Sequence, residues 1–220
     1  MCSSSSMSKS SCLLSGIDDR STTLSIYDNN PQYSSECYMG GKWNNCSWRK
    51  WRWQWTESTL LPTGFRVMEW KQNATNGQVV AGGNGMGSGP HQLNYPTDVI
   101  VDKETDSLII CDSSNRRVVR WSRRNGTSGK TIVSNIDCLG LIMDETGSLY
   151  VVDWITNEVR RYRRGESQGI VVAVGIGRGN RLDQLSDPRY VFVDRNHTVY
   201  VSDTEFHCVT KWVESGNYVH

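Results

Sequence analysis

The sequence predicts an all-β fold, a partial β-propeller of four-stranded blades with about three recognisable blades plus damaged remnants. Three observations support this prediction. One segment occurs three times, its copies recur at the spacing of a propeller blade, and each copy contains short β-rich runs separated by polar turns.

The repeated segment begins at residues 97, 139 and 189. Each copy has one aspartate, a second aspartate nine or ten residues later, and an aromatic residue nine positions after that. In chain order these residues are Asp102, Asp112 and Trp121, then Asp144, Asp153 and Tyr162, then Asp194, Asp203 and Trp212. The second aspartates are 41 and then 50 residues apart, close to the length of one propeller blade.

The β-rich runs of the first copy predict strands a to d at 99–101, 108–110, 118–121 and 131–133. The second runs of the three copies, LII, LYVV and VYV, are apolar at consecutive positions, which is typical of a strand covered on both faces. Glycine-rich linkers at 82–89 and 175–180 predict tight turns with positive φ angles. The predicted blades span 93–134, 135–185 and 186–220.

The propeller domain, 61–220, is predicted to begin with a blade remnant at 61–92. LPTG at 61–64 matches YPTD at 95–98 with an offset of 34 residues, whereas RVMEW at 66–70 matches RVVRW at 117–121 with an offset of 51. The missing residues would have formed most of strand a, strand b and the b–c turn, so this blade is expected to retain only strands c and d. LSIYD at 24–28 resembles LYVVD at 149–153 and is interpreted as the remnant of an earlier blade.

Residues 1–60 are expected to be irregular. They begin with a serine-rich stretch and include KWNNCSWRKWRWQW at 42–55, where each tryptophan aligns with a glycine of the linker at 76–89. Because the tryptophan codon TGG read one base later gives a glycine codon here, we interpret this segment as an out-of-frame translation of a linker. Alternatively, a cationic aromatic stretch of this kind would contact membranes or single-stranded nucleic acid.

Composition argues against several classes of function. The net charge is +1, from 24 Lys and Arg against 23 Asp and Glu, so the whole molecule lacks the field that attracts a polyanion.

The seven cysteines include no CxxC pair, and no metal site is expected. No apolar run approaches the ~20 residues of a membrane-spanning helix, and the N-terminus predicts no secretory signal. Four sequons are interpreted as chance occurrences, at Asn45, Asn73, Asn125 and Asn196.

The repeated segments resemble NHL repeats. The features that carry the resemblance are the paired aspartates, the aromatic residue after strand c, the b–c turns DSSNRR, DWITNE and DTEFHC, and the linker VVAGGNG. The resemblance covers about residues 61–220, although none of the turns contains the Asn-His-Leu triplet that names the family. It implies that the units are blades of a β-propeller.

No nucleophile elbow or phosphate-binding loop is present, and the predicted inner strand ends bring together no set of ligands. We therefore expect no enzyme activity, no catalytic residue and no cofactor. The expected function is a non-enzymatic scaffold that binds a protein or another macromolecular ligand through the rim of b–c turns and d–a linkers. The candidate contact residues are Asn115, Arg116, Trp154, Asn157, Arg178, Arg181, Phe206 and His207.

Two alternatives stay open. RNA would bind local basic clusters such as Arg116, Arg117 and Arg120, but acidic residues are interspersed on both predicted rims. A propeller enzyme with a metal in the central channel would need several converging ligands, of which the predicted inner strand ends offer one carboxylate and one thiol on separate blades.

Overall fold

The computed structural model describes residues 22–27, 65–124, 126–174 and 184–213, and they confirm the prediction of an all-β partial propeller. These residues form fourteen strands in four antiparallel sheets and one 3-10 helix, Ser113–Asn115. No helix in these ranges is long and apolar enough to cross a membrane.

Each sheet is a meander in which consecutive strands pair. The partial blade contains β1 (Thr22–Tyr27), β2 (Arg66–Lys71) and β3 (Gln78–Gly82). Blade 1 contains β4 (Pro96–Asp102), β5 (Ser107–Asp112), β6 (Arg117–Ser122) and β7 (Gly129–Ser134). Blade 2 contains β8 (Cys138–Met143), β9 (Leu149–Asp153), β10 (Glu158–Tyr162) and β11 (Ile170–Val174). Blade 3 contains β12 (Pro188–Val193), β13 (Val199–Asp203) and β14 (Cys208–Trp212).

Strand β1 differs from the sequence-based expectation. It pairs with β2 so that Thr23 lies opposite Trp70, as Leu108 lies opposite Trp121 in blade 1. β1 is therefore strand b of the partial blade rather than part of an earlier one, and that blade has three strands instead of two. A ladder needs only free backbone N–H and C=O groups, so a segment distant in sequence can supply the missing strand. The tryptophan segment at 42–55 lies outside the described residues.

Apolar side chains fill the space between neighbouring sheets. Val67 and Trp121 belong to the cluster between the partial blade and blade 1, and the next two clusters lie between blades 1 and 2 and between blades 2 and 3. Strands β5 and β9 are buried at every residue, which confirms the prediction for LII and LYVV. In β13, burial alternates instead, because the side of blade 3 away from blade 2 is exposed.

The repeated aspartates cap turns. In the a–b turn of blade 2, Asp144 Oδ1 accepts hydrogen bonds from the backbone amides of Thr146 and Ser148, both at 2.9 Å. In the b–c turn of blade 3, Asp203 Oδ1 accepts the amides of Glu205 and Phe206 at 3.1 and 3.3 Å. Side chains of this kind bond the backbone two or three residues further on, so these aspartates define the turns that connect strands.

The aromatic residue at the end of strand c packs over a glycine near the start of strand d. An added Cβ atom at Gly129 would lie 2.5 Å from the Trp121 ring, and one at Gly169 would lie 2.6 Å from the Tyr162 ring. The aromatic residue of each repeat is evident from the sequence, but its glycine partner is not. The spacing between the two varies because the c–d turns differ in length.

A disulfide joins Cys111 of β5 to Cys138 of β8, with 5.6 Å between the Cα atoms. Both cysteines are buried between blades 1 and 2, so the bond links two neighbouring sheets. Cys208 is a free, exposed thiol. The spacing of the cysteines gave no basis for this pairing, because strands b and a of adjacent blades meet only in the folded chain.

Candidate functional site

The structure describes six of the eight predicted contact residues, and Arg178 and Arg181 lie outside the described ranges. The Asn115 side-chain amide donates to the carbonyl of Gly87 and to Asp112 Oδ2, both at 2.8 Å, and so ties a b–c turn to the preceding linker. Glycines in this linker have the predicted positive φ angles, including 71° at Gly82 and 82° at Gly83. Asn115 therefore has a clear structural role.

Three of the predicted contact residues occupy one backbone position. Arg116, Asn157 and His207 each lie four residues after the second aspartate of their repeat, with φ angles of 52°, 56° and 53°. This left-handed conformation turns the chain from strand b into strand c, and Asn and His are among the residues that tolerate it best. The exposed residues Trp154 and His207 lie on the turns of different blades. Whether these residues contact a partner stays a prediction.

Several cations on the a–b and c–d rim are paired with carboxylates. Arg124 Nε lies 2.6 Å from Asp106, and Arg164 lies 3.0 Å from Asp102 and 2.9 Å from Glu104. For Arg124 and Arg164, the alternation of charge seen in the sequence therefore corresponds to ion pairs in the structure.

A polar cleft between blades 1 and 2 is the best candidate for a ligand site. Its cavity has a volume of about 280 Å³, close to the lower end of the range for small-molecule sites. The walls come from the end of β7, from β10 and from the turn before β11. The lining residues are Ser134, Asn135, Ile136, Asp153, Arg160, Tyr162, Ser167, Gln168 and Gly169.

Alternation along β10 explains this arrangement. Val159 belongs to the cluster shared with blade 3, whereas Tyr162 belongs to the cluster shared with blade 1. Because side chains alternate between the faces of a strand, Arg160 lies on the blade 1 side with Tyr162. Two polar side chains of one strand therefore line the space between the two blades.

Asp153 occupies the same repeat position as Asp112 and Asp203 but has different surroundings. Asp112 Oδ2 lies 2.7 Å from Arg117 Nε, an ion pair that neutralises a buried carboxylate. In blade 2, Glu158 stands at the position of Arg117. Asp153 therefore lacks the cation that its counterpart has at this position.

A second interaction also differs in blade 2. Asp203 Oδ2 accepts the backbone amide of Ser186 at 2.6 Å, an amide two residues before strand a of its blade. The corresponding amide in blade 2 belongs to Ile136, and it donates to the carbonyl of Arg116 at 3.2 Å. Cys208 stands at the position of Arg117 in blade 3, so the amide before strand a, which both Asp112 and Asp203 accept, is the interaction that distinguishes them from Asp153.

These surroundings change the acidity of Asp153. Burial raises the pKa of its carboxyl above the ordinary value of 3.8, and the nearby Asp137 carboxylate also raises it. The amides of Ile155 and Thr156 each donate to Oδ1 at 3.2 Å, but they offset only part of the effect. A carboxyl with a raised pKa takes up a proton closer to neutral pH, as acid–base groups in enzymes do.

Two further ionisable groups line the cleft. Burial acts to lower the pKa of Arg160. The hydrogen bond from its Nε to Glu158 Oε2 at 3.0 Å and the charge of Glu158 act in the opposite direction and outweigh burial. The pKa therefore lies above its ordinary value, and Arg160 stays charged. Burial raises the pKa of Tyr162, which keeps the phenol neutral. The cleft thus combines a cation, a neutral phenol and a carboxyl with a raised pKa. Among the described residues, no three His, Cys, Asp or Glu side chains form a group that could hold a metal ion.

Neither a protein-family model nor a curated protein matches the sequence. One similar solved structure is a gluconolactonase from Xanthomonas campestris, with 16% identity, a TM-score of 0.49, and coverage of 59% of this chain and 47% of that one. Another is a streptogramin B lyase, with 11% identity, a TM-score of 0.47, and coverage of 70% of this chain and 49% of that one. The chain spans about half the length of these two proteins.

Both of these proteins are enzymes, and this finding contradicts our expectation of a non-enzymatic scaffold. At these identities the comparison identifies neither a reaction nor a catalytic residue in this chain. Asp153 was not a candidate from the sequence, because burial and the nearby Asp137 carboxylate, rather than a motif, raise the pKa of this carboxyl.

Proposed function

We propose that the protein is an NHL-type propeller that binds a small, hydroxyl-rich molecule in the cleft between blades 1 and 2, and that Asp153 exchanges a proton with this ligand. The repeated aspartates and aromatic residues, with their roles in turns and in packing, support the NHL assignment. The environment of Asp153 is the observation on which the proposed chemistry rests.

The chemistry of the cleft supports a small, hydroxyl-rich ligand. Ser134, Ser167, Asn135 and Gln168 offer both donors and acceptors, as the hydroxyl groups of a sugar ring require. The volume of about 280 Å³ suits a single ring better than an oligomer. Monosaccharides, sugar acids and sugar lactones are therefore the ligand class to test.

Asp153 supplies the proposed acid–base function. When protonated, its carboxyl donates a hydrogen bond or a proton to an oxygen of the ligand, and as a carboxylate it accepts a proton from a ligand hydroxyl. The charged guanidinium of Arg160 stabilises negative charge that develops on the ligand oxygen.

Isothermal titration calorimetry with a panel of monosaccharides, sugar acids and sugar lactones tests this proposal. The experiment is run in two buffers of different ionisation enthalpy, so that proton exchange on binding is measured directly. We expect a panel member to bind the wild type with net proton exchange. The Asp153→Asn variant should bind without that exchange.

Asp203→Asn is the matched control, because it changes the same repeat position outside the cleft. It should retain both binding and proton exchange. Absence of binding by every panel member would overturn the proposal, as would equal loss of proton exchange in the Asp203→Asn and Asp153→Asn variants.

The altered pKa of Asp153 also predicts a change in stability that needs no ligand. Because the folded state raises this pKa, it binds the proton more tightly than the unfolded state, and stability falls as pH rises from 3.8 through the raised value. Asp153→Asn removes this loss, so its melting temperature should exceed that of the wild type at neutral pH. The difference should shrink in acid, and thermal scans across this pH range measure it.

A further inference from the structure

The four sequons are indistinguishable from chance occurrences in the sequence, but the structure places two of them in exposed hairpin turns. The sequon NAT at Asn73 belongs to the turn between β2 and β3, where every residue from 71 to 76 is exposed. The sequon NHT at Asn196 belongs to the turn between β12 and β13, and Asn196 is exposed there. Asn-X-Thr is the acceptor motif for N-linked glycosylation and is used where a surface loop presents the asparagine. Both turns meet this requirement.

The two turns lie on the same rim of the partial propeller. In a meander of antiparallel strands, the a–b turn and the c–d turn are at the same edge of the sheet. Ion pairs join these edges from each blade to the next. In blade order they are Arg123 with Glu69 at 3.4 Å, Arg164 with Asp102 at 3.0 Å, and Arg195 with Glu145 at 3.2 Å. The turns at Asn73 and Asn196 are therefore parts of one continuous surface.

The other sequons follow the same distribution in blades 1 to 3. Asn125 falls between β6 and β7, which is the c–d connection of blade 1, although Asn125 itself lies outside the described residues. The b–c turns and d–a linkers of these three blades contain no sequon. The remaining sequon, at Asn45, precedes β2 and also lies outside the described residues. In blades 1 to 3, the acceptor motifs are thus confined to one of the two rims.

The disulfide is a second, independent observation that points to the same modification. Cys111 and Cys138 are both fully buried between blades 1 and 2, with 5.6 Å between their Cα atoms. Disulfides form and persist in the secretory pathway and outside the cell, whereas the cytosol keeps thiols reduced. N-linked glycans belong to secreted proteins of the same kind. A chain that folds where this disulfide forms is exposed to the enzymes that glycosylate asparagine.

We propose that Asn73 and Asn196 are N-glycosylation sites and that their glycans cover the rim of a–b and c–d turns. The donor is an oligosaccharide linked to a lipid pyrophosphate. Nδ2 of the asparagine loses one proton to solvent and forms a bond to C1 of the first sugar. The bond from C1 to the pyrophosphate oxygen breaks, and the pyrophosphate leaves with the electron pair. The opposite rim of blades 1 to 3 stays free of glycans.

Protein isolated from its natural source tests whether these glycans are present. Peptide-N-glycosidase in heavy-oxygen water converts each glycosylated asparagine to a labelled aspartate, which mass spectrometry of the peptides locates. We expect the label at Asn73 and Asn196. An unlabelled asparagine at either position would overturn the proposal.

Variants of the full chain, directed by an added leader to the secretory pathway of cultured eukaryotic cells, assign each glycan to its site. Asn45→Gln and Asn125→Gln remove the other two sequons, and this background should lose two steps of electrophoretic mobility shift on digestion. Adding Thr75→Val or Asn196→Gln should remove one step each. Thr75→Val leaves Asn73 in place, because asparagine tolerates its φ angle of 63° better than most residues.

The turn at Asn73 supplies two matched controls. Thr75→Ser keeps the hydroxyl of the motif and should retain the glycan. Asn76→Gln changes an exposed asparagine of the same turn that is followed two residues later by Gln78, so it belongs to no sequon and should also retain both steps. Circular dichroism establishes that each variant is folded. The assignment is wrong if Thr75→Val keeps both steps or if Asn76→Gln loses one.

Discussion

At the residue scale, neighbours decide what a repeated side chain does. Asp112, Asp153 and Asp203 share one position in three blades, yet Asp112 has an ion pair with Arg117 and Asp203 accepts backbone amides. Asp153 also accepts two backbone amides, but it lines a polar cavity, and burial raises its pKa. Glu158 and Cys208 stand at the position of Arg117 in the other two blades, so the missing arginine does not by itself explain the difference.

Close packing of glycine under an aromatic ring predicts the cost of adding a methyl group. In the Gly129→Ala variant, the new Cβ atom would lie 2.5 Å from the Trp121 ring and would force the ring or the strand to move. We expect a loss of about 1–3 kcal/mol in the free energy of unfolding, as for other overpacked sites. Urea denaturation measures it, with Lys130→Ala on the same strand as the control, and equal stability of the two variants would contradict this packing argument.

An ion pair between blades predicts a dependence of stability on pH. Burial opposes ionisation of Asp102, but hydrogen bonds from Arg164 and Thr105 outweigh it and hold the pKa below the ordinary value of 3.8. A lowered pKa stabilises the fold above pH 3.8, and this contribution is lost as pH falls through the folded-state value. The Arg164→Gln substitution should therefore lower the free energy of unfolding by about 2 kcal/mol at neutral pH and by less in acid.

Denaturation of this variant at neutral and acidic pH checks both parts of the prediction. Arg163→Gln is the control, because Arg163 is exposed on the same turn and should change stability little. A loss that stays constant between neutral pH and strong acid would show that Arg164 does not act through Asp102.

At the scale of elements, backbone pairing tolerates large gaps in sequence. β1 ends at Tyr27 and β2 begins at Arg66, yet they pair as strands b and c of one sheet. Turns are more demanding, because each b–c turn needs an aspartate at its start and a residue with positive φ at its end. The repeat motif in the sequence therefore predicts the turns better than it predicts which segments pair as strands.

The disulfide between β5 and β8 predicts a large loss of stability on reduction. Cys111 and Cys138 are 27 residues apart, and a closed loop of this length stabilises the folded state by about 3–4 kcal/mol in the chain-entropy model. The Cys111→Ser, Cys138→Ser double variant should lose about this amount in chemical denaturation. Cys208→Ser is the control, since this exposed thiol is free, and its stability should match the wild type.

At the scale of the whole molecule, each sheet is stabilised by its immediate neighbours. The three apolar clusters lie between successive sheets. In an array of this kind, stability is approximately a sum of the contributions of each repeat and of each interface. A change in one interface should therefore act mainly on the two sheets that form it.

Trp212→Ala tests this locality. Trp212 is buried between blades 2 and 3, and replacing a buried tryptophan by alanine typically costs about 3–5 kcal/mol. Amide hydrogen exchange should accelerate in β13 while β5 of blade 1 keeps its protection, with Lys211→Ala as the control. Equal acceleration in β5 and β13 would mean that the sheets unfold together.

Much of the fold could be predicted from the sequence, because turn chemistry and apolar runs recur in every repeat. The copies beginning at residues 97, 139 and 189 predicted three blades, and the runs LII and LYVV predicted strands buried on both faces. The sequence did not predict the disulfide, the place of β1 in the partial blade, or the cleft around Asp153. All three depend on which residues of different repeats become neighbours.

By itself, the sequence determined the repeat, the position of the turns and the all-β class, since these follow from interactions among residues close together in the chain. Only the tertiary structure decided which aspartate lines a cleft and which cysteines form a disulfide. The physical reason is that burial and pairing are properties of the space between sheets. That space is enclosed by side chains from separate repeats, such as Asn135 before blade 2 and Tyr162 at the end of β10.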